Sequence, residues 1–172
     1  MNRSTLNMLC MLLACTTHLR LVAQTPQWVR VYGEPERYLN QGFILTKGEA
    51  GFIYGVGGIS ASGMDIGGHF TPVQGSTDAV LVKWDANGTV QWARSGGGPL
   101  TNDDDRATHV CVDSNTAEVI MGGYYSGPQA TFGDFTLPSA GGFGYKAIFI
   151  TKYAADGECL WARYATRVGG LG

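Results

Sequence analysis

The chain has 172 residues, a net charge of −2 and only 15% charged residues. Its length suffices for one domain with a hydrophobic core, and a hydrophobic content of 44% excludes a disordered chain. The low charge leaves no electrostatic footprint for nucleic acid or an anionic membrane, so we expect neither as a partner. Glycine is the outlier at 26 residues, about twice the usual share, which predicts many tight turns.

The first 23 residues are typical of a secretory signal peptide. A positive start at Arg3 precedes an apolar run at residues 6–15 that is too short to span a bilayer. The small residue Ala23 suits a cleavage site. Residues 12–15 also resemble a bacterial lipobox, which would make Cys15 a lipidated N-terminus. We therefore expect an exported protein, extracellular or on the outer-membrane surface, with no transmembrane segment in residues 24–172.

A motif recurs in the rest of the chain. KWDANGTVQWAR at residues 83–94 returns as KYAADGECLWAR at residues 152–163, a shift of 69, and QWVR at residues 27–30 repeats its end. Between these motifs a looser match, at a shift of 66, aligns Gly57, Ile66 and Gly67 with Gly123, Phe132 and Gly133. The sequence therefore predicts repeats of about 65 residues.

Each repeat is predicted to contain four β-strands. In the complete copy, short alternating runs rich in Val, Ile, Trp and Tyr occupy residues 78–84, 89–95, 107–112 and 119–125. Between the first two, Asp85 starts a type I turn and Gly88 accepts the positive φ that reverses the chain, as Asp156 and Gly157 do one repeat later. No segment after residue 23 shows a helical period of useful length.

Four antiparallel strands per repeat are typical of a β-propeller blade. We expect an all-β fold in which residues 24–172 form about two and a half blades, an incomplete propeller that stops before it closes. A β-sandwich is the alternative, but a sandwich does not require a repeated turn followed by Trp.

Residues 126–163 carry a longer pattern: SG, FG, L-x-S-x-G-G, A-x-F, KY and LWAR in that order, with a degraded version at residues 62–94. This pattern resembles the bacterial seven-bladed β-propeller (SBBP) repeat family, which is common in large exported proteins of Bacteroidota. The resemblance implies an architecture of seven blades and no particular activity. The chain departs from the family where a D-x-x-G-N turn is usual, because it has DSNTA at residues 113–117 and KGEAG at residues 47–51.

Few residues suggest chemistry. The acidic run at residues 102–105 suits calcium in principle, but it lacks the EF-hand spacing, and a solvated loop with one backbone-capping Asp is the simpler interpretation. The glycines of residues 55–58 are not followed by the helix that a nucleotide-binding loop needs. Neither His69 nor His109 has a second ligand at metal spacing. We therefore predict no catalytic residues, no metal site and no cofactor.

Cys111 and Cys159 are the two cysteines outside the leader. They are candidates for a disulfide in an exported protein, although both lie in apolar strand contexts that suit small core side chains. The sequon Asn87-Gly88-Thr89 is explained by its hairpin turn.

Trp92 and Trp161 recur at one strand position and are predicted core anchors rather than sugar-stacking platforms. The sequence favours a non-catalytic interaction scaffold for an unidentified protein or carbohydrate. The alternatives are the propeller part of a secreted polysaccharide hydrolase or lyase, and a passive spacer in a long surface protein.

Overall fold

The computed structural model describes residues 28–29, 43–60, 63–100, 104–139, 141 and 145–165. These residues form β-strands joined by turns, with one short 3-10 helix at Glu49–Gly51. The strands are β1 (Ile44–Lys47), β2 (Ile53–Ser60), β3 (Met64–Ile66), β4 (His69–Thr71), β5 (Thr77–Trp84), β6 (Val90–Gly97), β7 (Arg106–Val112), β8 (Val119–Ser126), β9 (Gln129–Phe132), β10 (Phe135–Pro138), β11 (Lys146–Tyr153) and β12 (Cys159–Ala165).

The strands form antiparallel sheets. The first sheet has the order β1-β2-β5-β6 and is extended by β9 and β10, the second has the order β12-β11-β8-β7, and β3 pairs with β4 alone. The predicted all-β class is confirmed, and the four strands predicted for the complete copy agree with β5 to β8 within two residues. No helix of the described residues is long and apolar enough to cross a membrane.

The two large sheets contain equivalent elements. β1, β2, β5 and β6 correspond to β7, β8, β11 and β12, and a β-bulge interrupts the last pair at Lys83/Trp84 in one sheet and at Lys152/Tyr153 in the other. The hairpins β3–β4 and β9–β10 also correspond, because both turn on a glycine with positive φ, Gly67 at 61° and Gly133 at 57°. The residues aligned by sequence therefore occupy equivalent structural positions.

The prediction of four strands per repeat was incomplete, because each repeat also contains a short hairpin, β3–β4 or β9–β10, that adds two more strands. Strands β3 and β4 have three residues each and β9 and β10 have four, which is too short for an alternating pattern to stand out. The second hairpin also pairs outside its own repeat, with Gly96 and Gly97 of β6 opposite Phe132 and Thr131 of β9. A pairing between repeats leaves no local sequence signal.

The main hydrophobic core lies between the two large sheets. Leu81 of the first sheet joins Met121 and Phe149 of the second in one buried cluster, and the rings of Phe132 and Phe149 are 4.5 Å apart. A second cluster, which includes Val82 of β5, lies on the other face of the first sheet. β5 is thus buried along its whole length, whereas β11 is buried only at alternate residues. The signal peptide predicted for residues 1–23, Cys15 and residues 166–172 lie outside the described residues.

Candidate functional site

The two large sheets present equivalent faces. Residues opposite one another on antiparallel strands share a face, so Lys83 shares one with Tyr54 and Trp92, and Lys152 shares one with Ile120 and Trp161. We define the covered face of the first sheet by Tyr54, Val56, Ala79, Leu81, Lys83 and Trp92. We define the open face of the second sheet by the matching residues Ile120, Gly122, Ile148, Ile150, Lys152 and Trp161.

The two faces differ in exposure. Leu81 is 0% exposed and Tyr54 is 1% exposed, because the second sheet lies on the covered face. Ile148 is 59% exposed, Ile150 is 46% exposed and Ile120 is 37% exposed. The open face therefore presents apolar side chains to solvent at positions that are fully buried one repeat earlier.

Polar contacts join the covered face to a hairpin turn of the second sheet. The indole Nε1 of Trp92 and the Nζ of Lys83 both donate to the carbonyl oxygen of Ala155, at 3.0 and 2.9 Å. Nε of Arg94 donates to the carbonyl oxygen of Gly157 at 2.9 Å. We call this arrangement, Lys83, Trp92 and Arg94 on the turn at residues 154–157, the repeat joint. It uses the recurring Lys, Trp and Arg of the sequence motif.

Gly157 is required in this turn for two reasons. Its φ of +88° is one that L side chains rarely adopt, and a Cβ there would lie 2.9 Å from the Trp92 ring. The indole is therefore in direct contact with the turn backbone, and the Trp92 side chain is almost fully buried.

The tryptophan contact of the joint also occurs one repeat upstream. Nε1 of Trp28 donates to the carbonyl oxygen of Ala86 at 2.9 Å, and a Cβ on Gly88, whose φ is +76°, would lie 2.6 Å from the Trp28 ring. The core role predicted for Trp92 is confirmed by its burial. Its indole N–H has an additional function, which is to bind the next repeat.

Trp161 is the third tryptophan of the series and is half-buried, outside both core clusters, so the core position predicted for it is wrong for the described structure. The guanidinium of Arg163 lies 6.0 Å from its ring centre, as that of Arg94 lies 5.7 Å from Trp92. The Trp–Arg pair is thus already in place on the open face, in the geometry that it has within the repeat joint.

Lys83 and Lys152 differ in their surroundings. Burial lowers the pKa of Lys83, and the carboxylate of Asp156 opposes this effect; the ammonium also lies 4.4 Å from the centre of the Phe52 ring. Lys152 instead forms an ion pair of 2.6 Å with Glu118. The hydrogen bond from Lys152 is the main cause that lowers the pKa of Glu118.

The acidic run is structural where it is described. Asp105 is fully buried and accepts hydrogen bonds from the backbone N–H groups of Gly98 and Ser126. The predicted capping role is therefore confirmed, and the predicted solvated loop is wrong for Asp105. Residues 102 and 103 lie outside the described part of the chain.

Asp104 is neutralised by two cations. Its carboxylate lies 2.9 Å from the Arg106 guanidinium and 2.8 Å from the Lys146 ammonium. Burial opposes ionisation, but the hydrogen bond from Lys146 and the two positive charges outweigh it and lower the pKa of Asp104. Across the described ranges, no three His, Cys, Asp or Glu side chains come together in a group that suits a metal ion.

The other sequence candidates do not converge. Residues 55–58 are extended in β2, His69 begins β4, and His109 is exposed on β7. Cys111 and Cys159 are both free thiols. Cys111 is exposed, so its predicted core position is wrong, whereas burial raises the pKa of the half-buried Cys159 to about 11. Asn87 lies in the β5–β6 turn, as predicted.

A cavity of about 410 Å³ adjoins the upstream joint. Its lining includes Trp28, Leu45, Ile53 and Ala86, with Lys47 at its edge. The polar side chains of this lining are those of Thr46 and Lys47.

Comparison with protein-family models gives no match for this chain, and comparison with curated proteins gives none either. The resemblance to the SBBP repeat family therefore stays a prediction that depends on the residues that carry it.

Proposed function

We propose that this chain is a non-catalytic, exported repeat protein of the β-propeller kind, which serves as an interaction scaffold for a protein or carbohydrate at the cell surface or outside the cell. The observation that carries this proposal is the repeat joint. The motif residues Lys83, Trp92 and Arg94 are all occupied in packing one repeat on the next, so the recurrence of the motif is explained by assembly and not by chemistry.

The arrangement of the sheets supports the propeller. Strands β1, β2, β5 and β6 of the six-stranded sheet and their equivalents in the four-stranded sheet pack face to face, as neighbouring blades do when sheets repeat around an axis. Trp28, whose indole binds the turn of the first sheet as Trp92 binds that of the second, fits a further blade on the upstream side. Seven blades and a Bacteroidota-type origin are implied only by the SBBP resemblance.

The contacts of Asp104 and Asp105, the described carboxylates of the acidic run, favour a structural role for both. A hydrolase or lyase that acts on polysaccharide requires carboxylates or bases open to substrate. Asp105 is buried against backbone N–H groups, and Asp104 is held between two cations.

An enzyme assay tests the non-catalytic part of the proposal. Purified protein is incubated with xylan, pectin and chitin, and released reducing ends and unsaturated uronates are measured. We expect product at the level of the protein-free blank. Product that appears with the wild-type chain and is lost with Asp104→Asn would establish the alternative, a polysaccharide hydrolase or lyase.

A processing assay tests export. The full chain is expressed in a Gram-negative host, and the N-terminus of the product outside the cytoplasm is sequenced. We expect it at Gln24, with a chain that lacks residues 1–23 retained in the cytoplasm as the control. Processing that requires Cys15 and is blocked by Cys15→Ser would assign lipoprotein attachment instead, and retention of the full chain in the cytoplasm would contradict export.

A further inference from the structure

We propose that the open face docks a further repeat of the same type, joined in tandem, and that Lys152, Trp161 and Arg163 bind the Ala-x-Gly hairpin turn of that repeat. The inference deepens the proposed function, on which it rests, because it names the partner of one face of the scaffold. Two observations carry it: the register of the open face and the Trp–Arg pair.

The register of the open face matches that of the covered face, which is occupied by the second sheet. Ile150 lies at the position of Leu81, and Ile148 at that of Ala79. In the first sheet these positions are fully buried under a four-stranded repeat. A second four-stranded sheet laid on the open face in the same way would bury Ile148, Ile150 and Ile120, and the removal of this apolar area from water would drive docking.

The open face has the Trp and Lys of the joint at matching positions, with the Lys152 ammonium paired to Glu118. Trp161 and Lys152 are opposite each other on β12 and β11, as Trp92 and Lys83 are on β6 and β5. In the formed joint both donors share one alanine carbonyl, and Asp156 of the bound turn acts favourably on the Lys83 ammonium. A turn with the same residues would satisfy Trp161, and its Asp would attract Lys152 and Arg163.

The edge of the second sheet differs from that of the first. In the first sheet the hairpin of the next repeat adds a strand to β6, where Gly96 pairs with Phe132. Ala165 of β12 occupies the position of Gly96, since both lie opposite the equivalent residues Ile148 and Ala79. A Cβ at Gly96 would clash with the Phe132 ring and the Thr131 carbonyl oxygen, so we expect docking through the open face and not through a strand added at this edge.

A second copy of this chain is a poorer occupant than a tandem repeat. Both turns that the described residues present are already bound, since Ala86 accepts from Trp28, and Ala155 accepts from Trp92 and Lys83. The open face therefore needs a repeat whose turn is not yet occupied. Consecutive repeats supply such turns, because Trp92 and Ala155 are 63 residues apart in the chain.

An extended protein tests this proposal. A copy of residues 104–165 is fused directly after Gly172, which places the copied alanine turn the same 63 residues after Trp161. The copied tryptophan is replaced by Phe, so that the four original tryptophans are the only indole reporters. Proteolysis of the copy by trypsin and iodide quenching of tryptophan fluorescence are measured.

The matched variants are Ile150→Asp on the open face and Phe70→Asp on β4, which are both exposed in the unextended chain. In the extended protein we expect Ile150→Asp to speed proteolysis of the copy about tenfold. This factor corresponds to a loss of about 1.4 kcal/mol in the free energy of docking. We expect Phe70→Asp to leave the rate of proteolysis unchanged. In the unextended chain we expect neither variant to change the unfolding midpoint. Trp161 should be shielded from iodide only when the copy is present.

The proposal would be overturned if trypsin digested the copy at the same rate in the extended wild-type protein and in its Ile150→Asp variant. It would also be overturned if iodide quenched Trp161 equally in the extended and unextended proteins. Dimerisation of the unextended chain in solution, with Trp161 shielded from iodide, would be the third contradicting result. The polysaccharide assay measures catalysis and the processing assay measures export, and neither depends on docking. Failure of those assays is therefore distinguishable from failure of docking.

Discussion

Trp92 combines a buried ring with a hydrogen bond to the next repeat, and the two contributions are separable by substitution. We expect Trp92→Ala to lower the free energy of unfolding by about 3 to 5 kcal/mol through loss of core packing. Trp92→Phe, which keeps most of the ring but loses the N–H, is expected to cost about 1 kcal/mol beyond its packing loss. Urea unfolding measures both variants.

Trp161→Ala is the matched control, because Trp161 has the same motif position but is only half-buried. We expect it to cost about 1 kcal/mol or less. An equal loss of unfolding free energy in both variants would show that the buried contact between Trp92 and the turn at residues 154–157 does not stabilise the protein.

Asp104 gives the chain a defined response to acid. Because its pKa is lowered in the folded state by Lys146 and Arg106, its contribution to stability is present above the unfolded pKa of about 3.9 and is lost as the pH falls through the lower, folded value. We expect Asp104→Asn to be less stable than wild type at pH 7, with a difference that shrinks in acid and in high salt.

Urea unfolding from pH 7 to pH 3 measures this difference. Asp134→Asn, in the exposed turn between β9 and β10, is the control for the removal of one negative charge. A constant difference for Asp104→Asn across the pH range would mean that its ion pairs do not contribute to folding.

At the scale of the element, the turn at residues 154–157 requires glycine at position 157 both for its positive φ and for the close approach of the Trp92 ring. Gly157 and Gly68 both have a φ of +88°, but a Cβ at Gly68 would meet no atom within 4 Å, whereas one at Gly157 would displace Trp92. We expect Gly68→Ala to cost about 1 to 2 kcal/mol of backbone strain, and Gly157→Ala to cost a further 1 to 3 kcal/mol, approximately, from overpacking.

The unfolding midpoint in urea and the fluorescence of Trp92 measure the two substitutions. Only Gly157→Ala should shift the tryptophan emission towards that of exposed indole. Equal costs for the two alanines would show that the indole moves aside freely and does not hold the turn.

The long strands and their turns could be predicted from sequence because their signals are local. β5 is an eight-residue run that is mostly apolar and is buried throughout, and Gly88 with positive φ follows directly from the turn Asp85–Gly88. The hairpin β9–β10 could not be predicted, since its partner β6 belongs to another repeat. The sequence contains part of the signal for the repeat joint, because Lys, Trp and Arg recur together with the turn glycine. Their recurrence does not indicate that they bind the turn of the following repeat.

At the scale of the whole molecule, stability is distributed unevenly over two equivalent sheets. The first sheet is buried on both faces of β5, whereas the second is buried on one. In repeat proteins each interface adds to the stability of the units that it joins. The second sheet thus has the stabilisation of one described interface, and its other face exposes Ile120, Ile148 and Ile150.

This asymmetry predicts how the chain behaves at high concentration. Ile148 and Ile150 are neighbours on one face, while the equally exposed Leu45 and Phe70 lie on separate strands of different sheets. Contiguous apolar patches promote association far more than scattered residues do. We therefore expect the double variant Ile148→Lys and Ile150→Lys to remain soluble at higher polyethylene glycol concentrations than the wild-type chain.

The control is the double variant Leu45→Lys and Phe70→Lys, which adds the same two charges and removes exposed apolar side chains of similar size. We expect its precipitation point, followed by light scattering, to move less than that of the open-face variant, with the unfolding midpoints of both unchanged. Equal shifts would attribute the gain to net charge. A larger shift for the open-face variant alone would identify this face as the surface through which the chain associates, which is the property that a repeat-docking surface must have.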